Sequence, residues 1–287
     1  MGYVYEYATE QDGEEIADLL EKSELGSGVS IAYCRRPNAV LSLARDGDKS
    51  VFAVARNGEG RIVGVGGCAI NRDIAYMTGL RAIDRVDISK IFRLGREFCA
   101  KNGVRLTYTT ILEDNVKARK LLEKKRASMP DYLWHSVCVT HIIRKNLKIK
   151  DRNELVQAEG VYILQNPAGE ELARGQAVEQ WDYKQYIIKR YGWRMKLAKC
   201  FFPWLPSEGE TLKIFTLKGV EAKNDSALES FLRHISNIPQ QGGFFLFGGD
   251  FCPVRSIQYR SIVYIVDWDK SGGDVSKMQF KIEIADL

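Results

Sequence analysis

The sequence predicts an α/β protein built from mixed, mostly antiparallel sheets that are flanked by helices. Three observations lead to this fold class. Segments with strand periodicity alternate with segments of helical periodicity over residues 3–143, an Asn-Gly turn joins two strands into a hairpin, and a similar order of elements begins again after residue 159. Helices that alternate with strands after an antiparallel start indicate a mixed sheet that is covered on both faces.

Length and composition favour a folded chain of two domains. The 287 residues are enough for two domains of ordinary size, and the 45% of hydrophobic residues argues against extended disorder. The formal net charge of +5 is small and spread along the chain. A dedicated nucleic-acid surface is therefore not expected, although an anionic ligand such as a nucleotide phosphate is compatible with this charge.

The cysteines and the first residues of the chain bear on metal binding and location. The six cysteines form no CxxC pair, and only three histidines accompany them, so no metal site is expected. The start of the chain has neither a basic segment nor an apolar run, which predicts a reducing, cytoplasmic location. No membrane span is expected, because no stretch reaches the ~20 apolar residues that a membrane-spanning helix needs.

Local signals place the elements of the first half. Thr9, followed by Asp12, resembles a helix-capping arrangement, and Asn57-Gly58 tolerates the positive φ angles of a tight hairpin turn. Asp114 or Asn115 is suited to cap a helix that follows a strand directly. We expect strands at residues 3–8, 51–56, 61–70, 76–83, 105–112 and 133–143, and helices from residue 9, from residue 37 or 38 to 43, at 88–101 and from residue 115.

The second half is interpreted as a diverged copy of the first. It has a predicted hairpin at residues 160–178, a strand, helix and strand over 212–250, a strong strand at 260–268 and a possible last strand at 278–285. A shift of 137 residues superposes the halves and places Leu80 on Leu217 and Tyr108 on Phe245. We therefore predict domains at residues 1–148 and 149–287.

An aromatic and basic insertion at residues 179–210 interrupts the second half. Its apolar side chains Tyr186, Ile187, Tyr191, Met195 and Leu197, interleaved with lysines and arginines, favour an amphipathic helix. Such a helix can lie on a membrane surface or bind a partner. The simpler interpretation, which we prefer, is that it packs its aromatic rings against the neighbouring domain and leaves its charges in water.

Four segments carry a resemblance to a known family: GRIVGVGGCAI, AYMTGLRAI, TTILEDNVKARKLLEK and MPDYLWHSVCVTHII. Together with the order of the elements, they resemble the GNAT superfamily of N-acyltransferases, and most of all an uncharacterised branch of it. The resemblance covers residues 1–145, and the junction TTILEDN is its most specific part. The resemblance implies transfer of an acyl group from acetyl-CoA or another acyl-CoA to a small-molecule or peptide amine. Together with the predicted repeat, it implies a tandem protein with two GNAT-like domains.

The resemblance also implies where the acyl-CoA would bind. The pantetheine arm would pair with the backbone of the fourth strand at Leu80, Arg81 and Ala82. The pyrophosphate would lie at the next helix, where the usual glycines are missing but Arg85, Ser89 and Lys90 could partly offset the charge of two aspartates. Further cofactor contacts are expected from Asn115 and Ala118, although Asn115 has the equal alternative of being a plain helix cap.

The catalytic residues stay unassigned by the resemblance. The position where a tyrosine often protonates the leaving thiolate is Leu122, and Glu113 is either a base that acts through water or, more simply, a solvated loop carboxylate. The alternative to an enzyme is a catalytically degenerate GNAT-fold protein that binds a ligand or partner. The missing glycines and Leu122 favour this alternative, whereas the intact TTILEDN junction favours the enzyme.

Overall fold

A computed structural model of the protein describes residues 2–22, 24–25, 29–201, 205–240, 242–273, 275–278 and 282. The strands are β1 (Val4–Tyr7), β2 (Glu24–Leu25), β3 (Val29–Cys34), β4 (Lys49–Arg56), β5 (Ile62–Asn71), β6 (Ile74–Ala82), β7 (Leu106–Leu112), β8 (Asp131–Arg144), β9 (Glu154–Ala158), β10 (Val161–Gln165), β11 (Glu171–Glu179), β12 (Gln185–Tyr191), β13 (Ile214–Ala222), β14 (Phe244–Gly248) and β15 (Ser256–Asp267). The helices are α1 (Gly13–Glu21), α2 (Ala39–Leu43), α3 (Ile88–Lys101), α4 (Val116–Glu123), α5 (Trp193–Phe201) and α6 (Asp225–Ile235), with short 3-10 helices at Glu10–Asp12 and Val275–Lys277.

The predicted fold class is confirmed. Twelve strands form one sheet in the order β1-β4-β5-β6-β7-β15-β8-β14-β13-β11-β10-β9. Among the strands that the structure describes, β6 pairs with β7 and β13 with β14 in parallel, and the other pairs of this sheet are antiparallel. The predicted hairpin of β4 and β5 is present around the Asn-Gly turn.

Strands from the two halves of the chain are interleaved at the centre of this sheet. β15, which comes near the end of the chain, lies between β7 and β8 and pairs with both. β8, from the first half, pairs in turn with β14 of the second half. The twelve strands therefore form a single continuous sheet, and the division into domains at residues 1–148 and 149–287 stays a prediction.

The segments around the two parallel pairs share a local feature whose register differs from that of the predicted repeat. Gly79 in β6 and Gly219 in β13 each lie five residues after the start of a nine-residue strand, with φ angles of 63° and 61°. Matching these glycines gives a shift of 140 residues, so the predicted match of Leu80 with Leu217 is wrong by three residues. The hydrophobic pattern missed this register because it does not reveal where a strand adopts a positive φ angle.

The insertion contains a strand where a helix was predicted. β12 pairs with β3, and both join β2 in a separate three-stranded sheet. Helical structure begins only with α5, after Gly192. The predicted helix was wrong over β12 because alternate residues of this segment, Tyr186 and Ile188, face the same side, as the period of a strand requires. Strand β3 itself was not predicted, and most of the predicted strand at 278–285 lies outside the described residues.

A buried ion triad attaches the insertion to the first half. The guanidinium of Arg35 contacts the carboxylate of Asp46, and the Lys184 ammonium lies 3.4 Å from the same carboxylate; the three side chains are 0–3% exposed. Arg35 also donates a hydrogen bond of 3.1 Å to the Ser42 hydroxyl, which in turn donates to the backbone carbonyl of Tyr183. The single carboxylate of Asp46 therefore balances two buried cations from distant parts of the chain.

No helix in the described parts of the chain is both long and apolar enough to span a membrane.

Replacement of Asp46 by asparagine should strongly destabilise the protein, because Arg35 and Lys184 would remain buried without a charged partner. We expect the free energy of unfolding to fall by about 3–5 kcal/mol. The matched control is Asp182→Asn. This substitution breaks the exposed ion pair of 2.8 Å between Asp182 and Arg45, which joins the same two segments. That variant should lose less than about 1 kcal/mol. Urea unfolding measures both, and equal losses would show that the triad does not hold the insertion in place.

Candidate functional site

Strands β6 and β7 separate to form a cleft. They pair in parallel from Ile74 and Leu106 as far as Tyr76 and Tyr108, and beyond these tyrosines no backbone pairing continues, although both strands do. The Thr109 hydroxyl closes the apex of the cleft by donating a hydrogen bond of 2.8 Å to the carbonyl of Met77. Apart from the carbonyls of Met77 and Leu80, the second of which accepts a hydrogen bond from Arg81, the facing backbone edges at residues 77–82 and 109–112 are thus left open to a ligand.

A β-bulge explains why β6 leaves its parallel partner. Thr78 lies opposite Gly67 and Arg81 opposite Val65, so two residues of β6, including Gly79, face one residue of β5. A bulge of this kind bends the strand that contains the extra residue. The positive φ angle of Gly79 is readily available only to glycine among the common residues, which ties the bend to this position.

The side chains of β6 beside the cleft point to opposite faces of the sheet. Leu80 packs with Ile91 of α3. Arg81 lies directly opposite Val65, whose side chain belongs to the apolar cluster beneath α1. Because residues directly opposite each other in a sheet share a face, Arg81 lies on the α1 face, and its backbone remains at the edge of the cleft.

A cavity of about 1330 Å³ passes through this cleft and has walls on both faces of the sheet. We call the wall near the helices the α4 side; it includes Leu80, Ile111, Ala118, Leu122 and Tyr132. We call the wall beneath the three-stranded sheet the small-sheet side; it includes Ile31, Tyr33, Arg81, Tyr186 and Ile188. Strands β15, β8, β14 and β13 extend the cavity into the second half of the chain.

Five of the eight residues predicted to contact the cofactor line this cavity. They are Leu80, Arg81, Ala82, Asn115 and Ala118. The side-chain oxygen of Asn115 accepts a hydrogen bond of 3.1 Å from the backbone N–H of Ala118, so this residue caps α4, as its alternative interpretation held. The amide nitrogen of Asn115 forms no part of that cap, and capping is therefore compatible with a second contact to a ligand.

The predicted pyrophosphate contacts lie outside the cavity wall. Ser89 directs both its backbone N–H and its hydroxyl to the carboxylate of Asp87, which caps α3. The ammonium of Lys90 lies 5.0 Å from the centre of the Tyr5 ring, and Arg85 is exposed. The first turn of α3 is therefore occupied by a carboxylate, and it does not form a ready anion site.

Tyr132 is a cavity residue that the sequence did not single out. Its hydroxyl is buried without a hydrogen-bond partner, and its ring packs with Leu122 around Ile111 on the α4 side. Burial raises the pKa of this hydroxyl, so it is a protonated donor at neutral pH. No local motif marks Tyr132, because its place beside α4 depends on the pairing of β8 with β15.

Glu113 and Arg260, which both line the cavity, form an ion pair with each other. Glu113 lies at the carboxyl end of β7, where its carboxylate is 3.1 Å from Nε of Arg260 and is about half exposed. This pairing matches the interpretation of Glu113 as a solvated carboxylate more closely than that of a free base.

Within the described ranges, no cluster of three or more His, Cys, Asp or Glu side chains is arranged to hold a metal ion.

Comparison with known proteins identifies the fold. No protein-family model and no curated protein matches the sequence. Among solved structures, the glucosamine N-acetyltransferase region of a fungal multi-domain β-N-acetylglucosaminidase aligns with a TM-score of 0.61, 10% identity, 92% of this chain and 38% of that one. Saccharomyces cerevisiae N-myristoyltransferase with bound myristoyl-CoA aligns with a TM-score of 0.52, 9% identity, and coverage of 92% and 82%. A tandem GNAT protein from the clavulanic acid pathway gives a TM-score of 0.50, 10% identity, and coverage of 93% and 98%.

Proposed function

We propose that this chain, which has the GNAT fold over most of its length, transfers an acyl group from an acyl-CoA to an amine. The observation that supports this activity most directly is the open cleft between β6 and β7, which leads into a cavity with walls on both faces of the sheet. A cleft that passes through a sheet lets two substrates approach one point from opposite faces. The structural neighbours that carry out acyl transfer share this fold, at identities that reveal nothing about the substrate.

The open edge of β6 suits the pantetheine arm of the acyl-CoA. Pantetheine contains two amide groups, which can pair with free backbone N–H and C=O groups as an added strand would. Residues 77–82 offer such an edge, and Leu80 and Ala82 line the cavity there. Because the first turn of α3 is capped by Asp87, the fit extends to the pantetheine arm and not to the phosphates, for which no contacts are proposed.

The proposed reaction is a direct transfer. The amine, in its neutral form, attacks the thioester carbonyl carbon; a C–N bond forms, the C–S bond breaks, and the amine gives up a proton to water. Backbone N–H groups on the open edge of β6 would stabilise the negative charge that develops on the carbonyl oxygen. We assign Tyr132 as the acid that protonates the leaving thiolate, because its hydroxyl has no hydrogen-bond partner and lies on the α4 side near Leu122. The tyrosinate that this leaves then regains a proton from water.

A second candidate function is ligand binding without catalysis. The observation that favours it is the carboxylate of Asp87 at the first turn of α3, where the phosphates of a cofactor would otherwise be held. On this alternative, the cavity binds a different molecule that lacks phosphates. Measured binding of acyl-CoA, together with turnover, separates the two functions.

Isothermal titration calorimetry with acetyl-CoA and with longer acyl-CoAs tests the proposal. We expect binding that is weakened about tenfold or more by Gly79→Ala, since alanine in place of Gly79 disfavours the positive φ angle of the bulge. Gly219→Ala, which imposes the same strain on β13, is the matched control and should leave binding unchanged. No heat of binding with any acyl-CoA at millimolar concentration would refute acyl transfer and leave the second candidate.

Replacement of Tyr132 by phenylalanine should lower kcat by about 100-fold or more, because a general acid is lost. The free energy of unfolding should stay the same or rise slightly, since the hydroxyl has no hydrogen-bond partner to lose. The control is Tyr162→Phe: this buried tyrosine, outside the cavity, accepts a hydrogen bond of 2.7 Å from Gln240. The Tyr162→Phe variant should lose about 1 kcal/mol of unfolding free energy and keep its kcat unchanged. An unchanged kcat in the Tyr132 variant would contradict its assignment as the acid.

A further inference from the structure

The cations that line the cavity differ in their partners. Lys184 lies 3.4 Å from the carboxylate of Asp46, and Arg260 lies 3.1 Å from that of Glu113. The remaining cation of the wall, Arg81, has no carboxylate within 4 Å anywhere in the part of the chain that the structure describes. Of the three cations that line the cavity in the described part of the chain, Arg81 is thus the one without a carboxylate partner.

The hydrogen bonds of Arg81 leave most of its donors unused. Its Nη1 donates to the backbone carbonyl of Leu80 at 2.7 Å, whereas its Nε is buried without a partner. Burial lowers the pKa of the guanidinium, whereas the nearby Tyr33 and Tyr76 act to raise it. An arginine keeps its charge in such a place, so the burial has a cost that a bound anion would offset.

The position of Arg81 separates it from the proposed acyl-CoA site. Its side chain is on the α1 face, opposite Val65, whereas Leu80 and α3 are on the other face. An anion that reaches Arg81 therefore enters from the small-sheet side, where the acceptor would approach. The walls around it are otherwise largely apolar and include Val29, Ile31, Ile188, Leu246 and Ile257.

We infer that Arg81 binds the carboxylate of the acceptor, and that the acceptor is an apolar α-amino acid. A guanidinium can hold a carboxylate by two parallel hydrogen bonds, and the apolar walls suit the side chain of such an amino acid. In an α-amino acid a single carbon joins the carboxylate to the amine. A carboxylate on Arg81 thus brings the amine to the cleft, because Nη1 of Arg81 lies 2.7 Å from the carbonyl of Leu80 at the cleft edge. The inference rests on the proposed acyl transfer and specifies its acceptor.

Calorimetry with L-leucine and L-phenylalanine, each compared with its carboxamide, tests this assignment. The titrations use the full chain, with and without coenzyme A. We expect the acids to bind at least about tenfold more tightly than the amides, as loss of one charge-assisted contact implies. Arg81→Met should remove this preference and leave the amides bound as before, while Arg81→Lys should keep part of it. Arg61→Met, which alters an exposed arginine outside the cavity, is the matched control and should behave as the unaltered protein.

Three results would overturn the assignment: amides that bind as tightly as acids, an Arg81→Met variant that still prefers the acid, or no binding of either class at millimolar concentration. Binding of the amides by Arg81→Met confirms that this variant is folded. Failure here is distinguishable from failure of the proposed function, because acyl-CoA binding is measured separately. Acyl-CoA binding without amino-acid binding refutes only the acceptor, whereas the reverse refutes acyl transfer.

Discussion

The separation of β6 from β7 is the constraint on which the rest of the site depends. Up to Tyr76 and Tyr108 the two strands satisfy each other's backbone groups, and beyond them the bulge at Gly79 directs β6 away. Unpaired backbone donors and acceptors inside a sheet are costly unless water or a ligand satisfies them. The hydroxyl of Thr109 satisfies the carbonyl of Met77 at the apex, and Nη1 of Arg81 satisfies that of Leu80. The other backbone groups along the wider part of the cleft keep their capacity to bind a strand-like ligand.

The cavity around this cleft is built by distant parts of the chain. β15 and β8 continue its floor beyond β7, and β13 and β14 extend it into the second half. The paired strands β3 and β12 cover the cavity on its small-sheet side, and the buried triad of Arg35, Asp46 and Lys184 attaches the insertion to the first half of the chain. Because the strands of the two halves are interleaved, both halves supply walls of one cavity.

The sequence predicted local features well and long-range placement less well. The hairpin at Asn57-Gly58 and the capped helix after β7 follow from short-range rules, and both are present. The pairing of β12 with β3 could not be predicted in this way, because its partners lie about 150 residues apart and its alternating pattern was mistaken for a helical one. The residues of the cavity show the same difference. The backbone of the cleft was predicted through the family resemblance, whereas the roles proposed for Tyr132 and for the side chain of Arg81 depend on tertiary contacts that no local pattern reveals.

Hydrogen–deuterium exchange of the protein with a saturating acyl-CoA tests whether the open edge of β6 binds the acyl-CoA. Backbone amides on an unpaired edge exchange rapidly, and pairing with a ligand slows them. We expect an acyl-CoA to protect peptides that cover residues 77–82 and to leave the matching part of β13, residues 217–222, unprotected. Protection of β13 alone, or no protection of β6 by a ligand that binds, would contradict it.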